Sequence, residues 1–309
     1  MIAKIKELLR LNYNLYAQNV IQISPCVFLI DKRYILKKTN KKTEYIYTYL
    51  YSTNLENVIL PLKTLSGNFT FNYNNELYYL MPFVENIPYP NSRKILELKN
   101  ELSKLHKSTS HSAKLKINKI YKKLYLIYKT LNVKFSLIET FIREIEIKDN
   151  YDDLDLIFLN NYNFYLRLKQ IMYESQKVIH KYLDEEFPVN YSLIHMYPEV
   201  THFLSNNKKF LISFEKAKIG LPIIDIYRFY ILNEDNEINV VRIVKEWLDE
   251  YNHPFYTNYF FFMTAYTYLL LIDDTSDKKC SIEKYLYVIE KIKKVLFLTE
   301  KKETSDNEY

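Results

Sequence analysis

Residues 193–229 hold Leu193-Ile194-His195-Met196-Tyr197-Pro198-Glu199-Val200-Thr201-His202-Phe203-Leu204, a turn pair at Asn206-Asn207, and Phe210-Leu211-Ile212-Ser213-Phe214-Glu215-Lys216-Ala217-Lys218-Ile219-Gly220-Leu221-Pro222-Ile223-Ile224-Asp225-Ile226-Tyr227-Arg228-Phe229. Short apolar runs at Leu193-Ile194-His195, Phe203-Leu204 and Phe210 to Phe214, separated by turn residues, predict a β interlude. Pro222 then suits the first turn of a helix, where its missing N–H costs nothing. The interlude sits inside helical sequence. Upstream, Ile95, Leu98, Leu102 and Leu105 form one stripe with a period near 3.6, as do Ile117, Ile120, Tyr121, Leu124 and Tyr128. Phe164, Leu168, Ile171, Met172, Ile179 and Tyr182 form a third, and helices resume after Pro222 to Leu298.

The first ninety residues read differently, as strands and turns. Val27 to Ile30 and Tyr34 to Lys38 flank Asp31-Lys32-Arg33 and predict a hairpin. A helix is expected over about Thr43 to Tyr51, and turn pairs at Ser66-Gly67-Asn68 and Asn74-Asn75 bracket Phe69 to Tyr73. Leu77 to Val84 reads as a further strand. Pro82, Pro88 and Pro90 mark the boundary between an N-lobe (residues 1–88) and a helical C-lobe (89–309) that contains a β-hairpin at about 193–214. The tail from Thr299 to Tyr309 is polar and expected to be loose.

Composition excludes whole classes. With 309 residues, 48% hydrophobic and 26% charged, the chain is neither disordered nor a small stapled scaffold. Its 2 glycines, Gly67 and Gly220, rule out a glycine-rich phosphate loop, which needs two or three within a few positions. Cys26 and Cys280 form no disulfide framework or zinc spacing, and a reducing compartment fits them. The 31 tyrosines fit codon bias, with oxidative cross-linking in an assembly as the alternative. Met1 to Arg10 carries Lys4, Lys6, Glu7 and Arg10, so no secretory signal is expected. The uncharged stretch Tyr251 to Ile272 contains Asn252, His253, Pro254 and Asn258, and its densest part is too short to span a bilayer; a buried core helix is predicted. Net charge is +6, and a basic segment runs from Arg93 to Lys129 with Glu97 and Glu101 as its acids. Without an accompanying nucleic-acid motif it reads as a solvated helical face, and no nucleic-acid partner is expected.

Strands and one helix, a proline-marked hinge, helices, a hairpin and more helices follow the element order of an α+β, two-lobed protein-kinase-like fold, with a small antiparallel β N-lobe and a larger, mainly helical C-lobe. The segment from Leu193 to Phe229 resembles the catalytic core of aminoglycoside-phosphotransferase-type kinases. Within that superfamily it is most similar to the spore coat branch, the CotS and YutH-like proteins of endospore-forming bacteria. Tyr34-Ile35-Leu36-Lys37 resembles the nucleotide-lysine strand, Tyr79 to Val84 the hinge strand, and Leu102-Ser103-Lys104-Leu105-His106 the helix after it.

The resemblance implies roles, and the chain departs from three of them. Where active members carry His-Gly-Asp, this chain has His195-Met196-Tyr197; the metal-holding Asn and Asp are replaced by His202 and Ser213. In phosphoryl transfer one Asp takes the hydroxyl proton while the second Asp and the Asn hold Mg²⁺. A phenol, an imidazole and a hydroxyl are poor replacements for a base and two hard-cation ligands. No catalytic residue and no metal ligand is therefore expected at these degenerate positions. Lys37, with Glu44 as its helix partner, is the candidate for residual ATP binding, although it also reads as a surface lysine beside Lys38, Lys41 and Lys42; no other cofactor is implied. His195, Asp225 and Arg228 are expected to be structural. The resulting expectation is a pseudokinase, not an enzyme, made in the mother-cell cytoplasm and deposited on the spore coat, with other coat or morphogenetic proteins as partners. The competing expectation is an active small-molecule phosphotransferase using the shifted acids Glu199 and Glu215.

Overall fold

The computed structural model describes residues 2–88, 90–114, 117–185, 188–235, 239–272 and 278–296. The tail expected to be loose lies outside them. In chain order the elements are α1 (Ile2–Tyr13), β1 (Val20–Ser24), β2 (Val27–Ile30), β3 (Tyr34–Thr39), α2 (Lys42–Thr53), β4 (Phe71–Tyr73), β5 (Glu76–Pro82), α3 (Asn91–Ser108) and β6 (His111–Lys114). Then follow α4 (Ile117–Glu146), α5 (Asp153–Asn160), α6 (Tyr162–Asp184), β7 (Pro188–Ile194), β8 (Phe203–Ser205), β9 (Lys209–Leu211) and β10 (Lys218–Gly220). The last four are α7 (Ile223–Asn233), α8 (Val240–Asp249), α9 (Pro254–Leu269) and α10 (Lys278–Leu296). The chain is α+β, with a small antiparallel sheet and a larger helical part. It forms two compact units, one of Met1–His111 with Asn190–Val240, the other of Ser112–Val189 with Val241–Tyr309. Compact packing thus groups the chain differently from the proline-marked line at residue 88, because α3 packs on β9 and on the turn before β8.

In the first unit a five-stranded antiparallel sheet has the order β1-β2-β3-β5-β4. The predicted hairpin is β2–β3, and its turn places Asp31 and Lys32 at φ 49° and 53°. Positive φ is unusual for residues with a Cβ, and the Asp31 carboxylate holds the turn by accepting the Gln18 and Asn19 amides. Gly67, at φ 86°, meets the same demand without strain. Ile30, Leu36 and Leu80 are fully buried on one face of the sheet, against Ile5, Leu8 and Leu9 of α1. That helix was not foreseen, although Ile5, Leu8 and Leu9 recur at helical spacing among the charges that argued against a signal. The other face meets α2, whose Tyr47 packs against Tyr79 of β5 and Phe214. The β interlude resolves into a β8–β9 hairpin and a β7–β10 pair.

The second unit is helical. In α9, Phe255, Phe260, Phe261, Ala265 and Leu269 are fully buried, as predicted for a core helix. Pro254 opens it, and His253 Nδ1 accepts the Phe255 amide as its cap. No described helix is long and apolar enough to cross a membrane. Elsewhere in the unit Phe158 of α5 and Tyr285 of α10 bring their rings to 4.4 Å.

The basic segment is solvated as read, with Arg93 and Lys104 largely exposed, but its two acids are not. Glu97 and Glu101 are buried, Glu97 accepting Arg93 and Lys209 and Glu101 accepting Lys104. Side chains 114–119 lie outside the described residues.

Candidate functional site

The candidate site lies within the first unit. On adjacent antiparallel strands, Lys37 of β3 lies directly opposite Tyr79 of β5, so both side chains leave the same face of the sheet. They converge on one carboxylate. Lys37 Nζ lies 2.6 Å from Glu215 Oε1, and the Tyr79 hydroxyl donates to the same oxygen at 2.5 Å. Lys37 Nζ also donates to Ser213 Oγ at 3.2 Å, and the Asn40 side-chain amide donates to the Glu215 carbonyl at 3.1 Å. The side chains of Lys37 and Glu215 are 25% and 15% exposed. Burial pushes the Glu215 carboxyl up, but the charge and hydrogen bond of Lys37 and the Tyr79 hydroxyl outweigh it, and it stays below the usual carboxylate range.

The pairing expected between Lys37 and Glu44 is not formed. Glu44 instead accepts the amides of Phe69 and Thr70 at 3.0 and 2.7 Å and the Thr70 hydroxyl at 2.7 Å. It anchors the entry to β4, and Glu215 takes its place beside the lysine. Glu199 precedes the 3-10 turn Val200–His202 and does not line the cavity.

That cavity has a volume of about 490 Å³ and is lined by Lys37, Lys216, Tyr197, His202, Ser213 and Glu215, among others. Lys216 places its ammonium 4.6 Å from the Tyr197 ring centroid, a cation–π contact. His202 Nδ1 lies 3.0 Å from the Tyr197 carbonyl, which can only accept, so Nδ1 carries the proton and Nε2 keeps its lone pair. Burial, with Lys37 nearby, pushes the His202 pKa down and keeps the ring neutral. A cavity of about 520 Å³ in the second unit, lined by Tyr128, Phe135, Met172 and Phe262, is mostly apolar; Lys169 on its rim is paired with Glu139.

Beneath the cleft a buried carboxylate organises the turn. Asp225, in the first turn of α7, accepts the amides of His195 and Met196 at 2.7 Å each and meets His106 Nε2 of α3 at 2.9 Å. Arg228, one turn later on α7, donates to the Met196 carbonyl at 3.0 Å. Both sides of Met196 are therefore pinned, and they hold it at φ 71°. A non-glycine residue there costs roughly 1–2 kcal/mol. Met196→Gly is expected to raise stability by about 0.5–1 kcal/mol, the strain relieved less the entropy that glycine loses on folding. Met196→Ala, which keeps the Cβ, should show no gain when both are unfolded in urea.

His195 is buried, donates from Nε2 to the Ile212 carbonyl at 2.7 Å and accepts the Tyr197 amide at Nδ1. Burial lowers its pKa below the usual value. Asn233 was missed by sequence reading. Its amide donates to the Pro198 and Phe229 carbonyls at 2.8 Å, and only the packing of α7 under the turn reveals it.

Buried His195 and half-buried His202, both neutral, predict a pH dependence. Below pH ~6.5 the unfolded chain takes up protons that folded His195 and His202 resist, so stability is full above that pH and falls as pH drops. Urea midpoints should decline between about pH 7 and about pH 5, and His202→Gln should flatten part of the slope. A midpoint that does not move over this range would contradict the neutral rings.

The metal implied by the kinase-like fold does not fit these side chains. Ser213 Oγ lies within reach of the Lys37 ammonium, His202 Nδ1 is committed to a carbonyl, and Glu215 is held by Lys37 and Tyr79. Mg²⁺ wants several oxygen donors. Among the described residues no group of three or more His, Cys, Asp or Glu side chains could hold a metal ion.

No family model matches the chain. No curated protein matches it either. Solved structures do. Across 93% of this chain and 92% of theirs it is similar to an aminoglycoside phosphotransferase from Alicyclobacillus acidocaldarius, at 14% identity and a TM-score of 0.53. The AMP-bound complex of spectinomycin phosphotransferase APH(9)-Ia covers 97% of this chain and 99% of its own, at 15% identity and a TM-score of 0.50. The streptomycin–ATP–APH(2")-IIa ternary complex covers 92% and 96%, at 14% identity and a TM-score of 0.50. The chain has the protein-kinase-like fold of these phosphotransferases.

This corrects the expectation that the chain is not an enzyme. The fold, matched over nearly its whole length, is one that solved phosphotransferases carry, one in complex with AMP and one with ATP. Tyr197, His202 and Ser213 still depart from the residues the resemblance implies, and the cleft pairs Lys37 with Glu215.

Proposed function

We propose that the chain binds a nucleoside phosphate in the Lys37 cleft and serves phosphoryl transfer to a small-molecule hydroxyl. One observation carries the reading: a lysine fixed by its strand register and a half-buried carboxylate, lining a cavity large enough for a polyphosphate and more. In the transfer the hydroxyl oxygen bonds to the terminal phosphorus, the bond to the bridging oxygen breaks, and the nucleoside diphosphate leaves. Lys37 neutralises phosphate charge, which is where the catalysis of such reactions lies. The hydroxyl proton passes to Nε2 of neutral His202, a cavity-lining residue whose Nδ1 bond to the Tyr197 carbonyl leaves Nε2 with its lone pair. Isothermal calorimetry with ADP and ATP tests the binding. Saturable binding of both supports the reading, and no heat with either, on a protein that still unfolds cooperatively, sinks it.

A second reading concerns setting. The residues from Leu193 to Phe229 resemble the spore coat branch, and that resemblance favours a protein that joins the coat with other coat or morphogenetic proteins. A fluorescent fusion followed through sporulation should move from mother-cell cytoplasm to the spore surface; a diffuse signal throughout would remove this setting and leave the nucleotide reading intact.

A further inference from the structure

We infer that the cleft takes the phosphate chain of its ligand without a divalent cation, its own ammonium groups standing in for the metal. The inference rests on the nucleotide reading above. It starts from charge. Among the described residues that line the cavity, Lys37, Lys38 and Lys216 are cationic and Glu215 is the one carboxylate. Lys38 is drawn to Glu76 at 2.5 Å, and Glu215 is matched by Lys37. Lys216 rests on a neutral aromatic ring and faces no carboxylate in the cavity. A cleft of this composition carries net positive charge, the reverse of a site built for Mg²⁺.

The donor set agrees with the charge. A metal placed at Ser213 would lie beside the Lys37 ammonium, and like charges at a few ångströms repel in bulk water and repel more in a half-buried site. His202 offers nitrogen, which Mg²⁺ uses little. Glu215 already serves Lys37 and Tyr79 through Oε1, so a metal at this carboxylate would again lie beside the Lys37 ammonium. A phosphate oxygen meets none of these costs. It can accept from Lys37 and Lys216 while Glu215 stays with Tyr79, and Ser213 Oγ is a further donor. Glycine-rich loops supply amides to phosphates in other sites; here the strand pair β1–β2 has no glycine, so side chains must supply the positive charge.

The test is calorimetric titration of the full chain with ADP, ATP and inorganic tripolyphosphate, each in excess EDTA and in excess Mg²⁺. All three are expected to bind in EDTA. Mg²⁺ should weaken ATP severalfold, because the complexed phosphates carry less charge, and added salt should weaken every arm. Glu215→Gln is expected to tighten ATP in EDTA roughly fivefold by removing a like charge from the cleft. Binding only in Mg²⁺, or loss of binding in Glu215→Gln while the variant unfolds with the wild-type midpoint, overturns the inference and leaves the nucleotide reading standing. Tripolyphosphate binding in EDTA without either nucleotide does the opposite. Absence of binding in every arm overturns both.

Discussion

Asp225→Ala is expected to cost about 3–5 kcal/mol of stability, because it leaves several buried donors without their acceptor. Asp225 is 0% exposed, and its two oxygens serve three donors, the amides of His195 and Met196 and the His106 imidazole. Alanine would leave all three in a space with no water to replace the carboxylate. Each orphaned donor costs roughly 1–3 kcal/mol, and the pinned Met196 backbone would lose what holds it at positive φ. Asp225→Asn is expected to recover part of the loss, since its one carbonyl oxygen can still accept. Urea unfolding followed by circular dichroism measures both, and a loss below about 1 kcal/mol for alanine would show that this carboxylate is not what holds the turn. Acid should mimic the substitution. Burial pushes the Asp225 carboxyl up, but the hydrogen bond and charge of His106, with the amide of His195, bring it below the usual value. Its contribution is therefore present above about pH 4 and is lost as pH falls through the lower folded-state value.

Lys37→Ala is expected to weaken nucleotide binding by at least tenfold, which corresponds to about 1.4 kcal/mol. Lys37 is the cation that both strand register and a carboxylate partner fix in the cavity, whereas Lys38 points its charge to Glu76 and Lys216 lies on a ring. The substitution also leaves Glu215 beside Tyr79 without its cation, so a folding control is needed. Lys37→Arg supplies it, keeping the charge and the partner while moving the donors. The expected order of affinity is wild type, then arginine, then alanine, measured by calorimetry at equal salt. Alanine binding within twofold of wild type would mean that phosphates, if bound, lie elsewhere.

How far the sequence carries the site can be judged from three residues. Lys37 was legible because its strand has local features, an alternating run after a charged turn. Its partner was not. Glu44 stood on the nearest helix and was the natural candidate, yet its carboxylate caps the Phe69–Thr70 backbone, whose amides needed an acceptor. His106 stood in the Leu102–His106 match to the family's helix, but its partner becomes visible only where α3 meets the first turn of α7.

Periodicity, turn residues and proline placement depend on neighbours within a few positions, and these local terms made the β2–β3 hairpin, α2, the core helix α9 and the β interlude legible, whereas the departures at Tyr197, His202 and Ser213 came from the family resemblance. Contacts across the chain belong to a different class of information. Lys37 and Ser213 are 176 residues apart, and only closure of the sheet against the turn after β9 brings the lysine to Ser213 and Glu215. The tertiary structure alone decided which acid neutralises the lysine, which donors Asp225 satisfies, and that the cleft carries more positive than negative charge, because pairing of charges is set by distance in space and sequence spacing does not encode it.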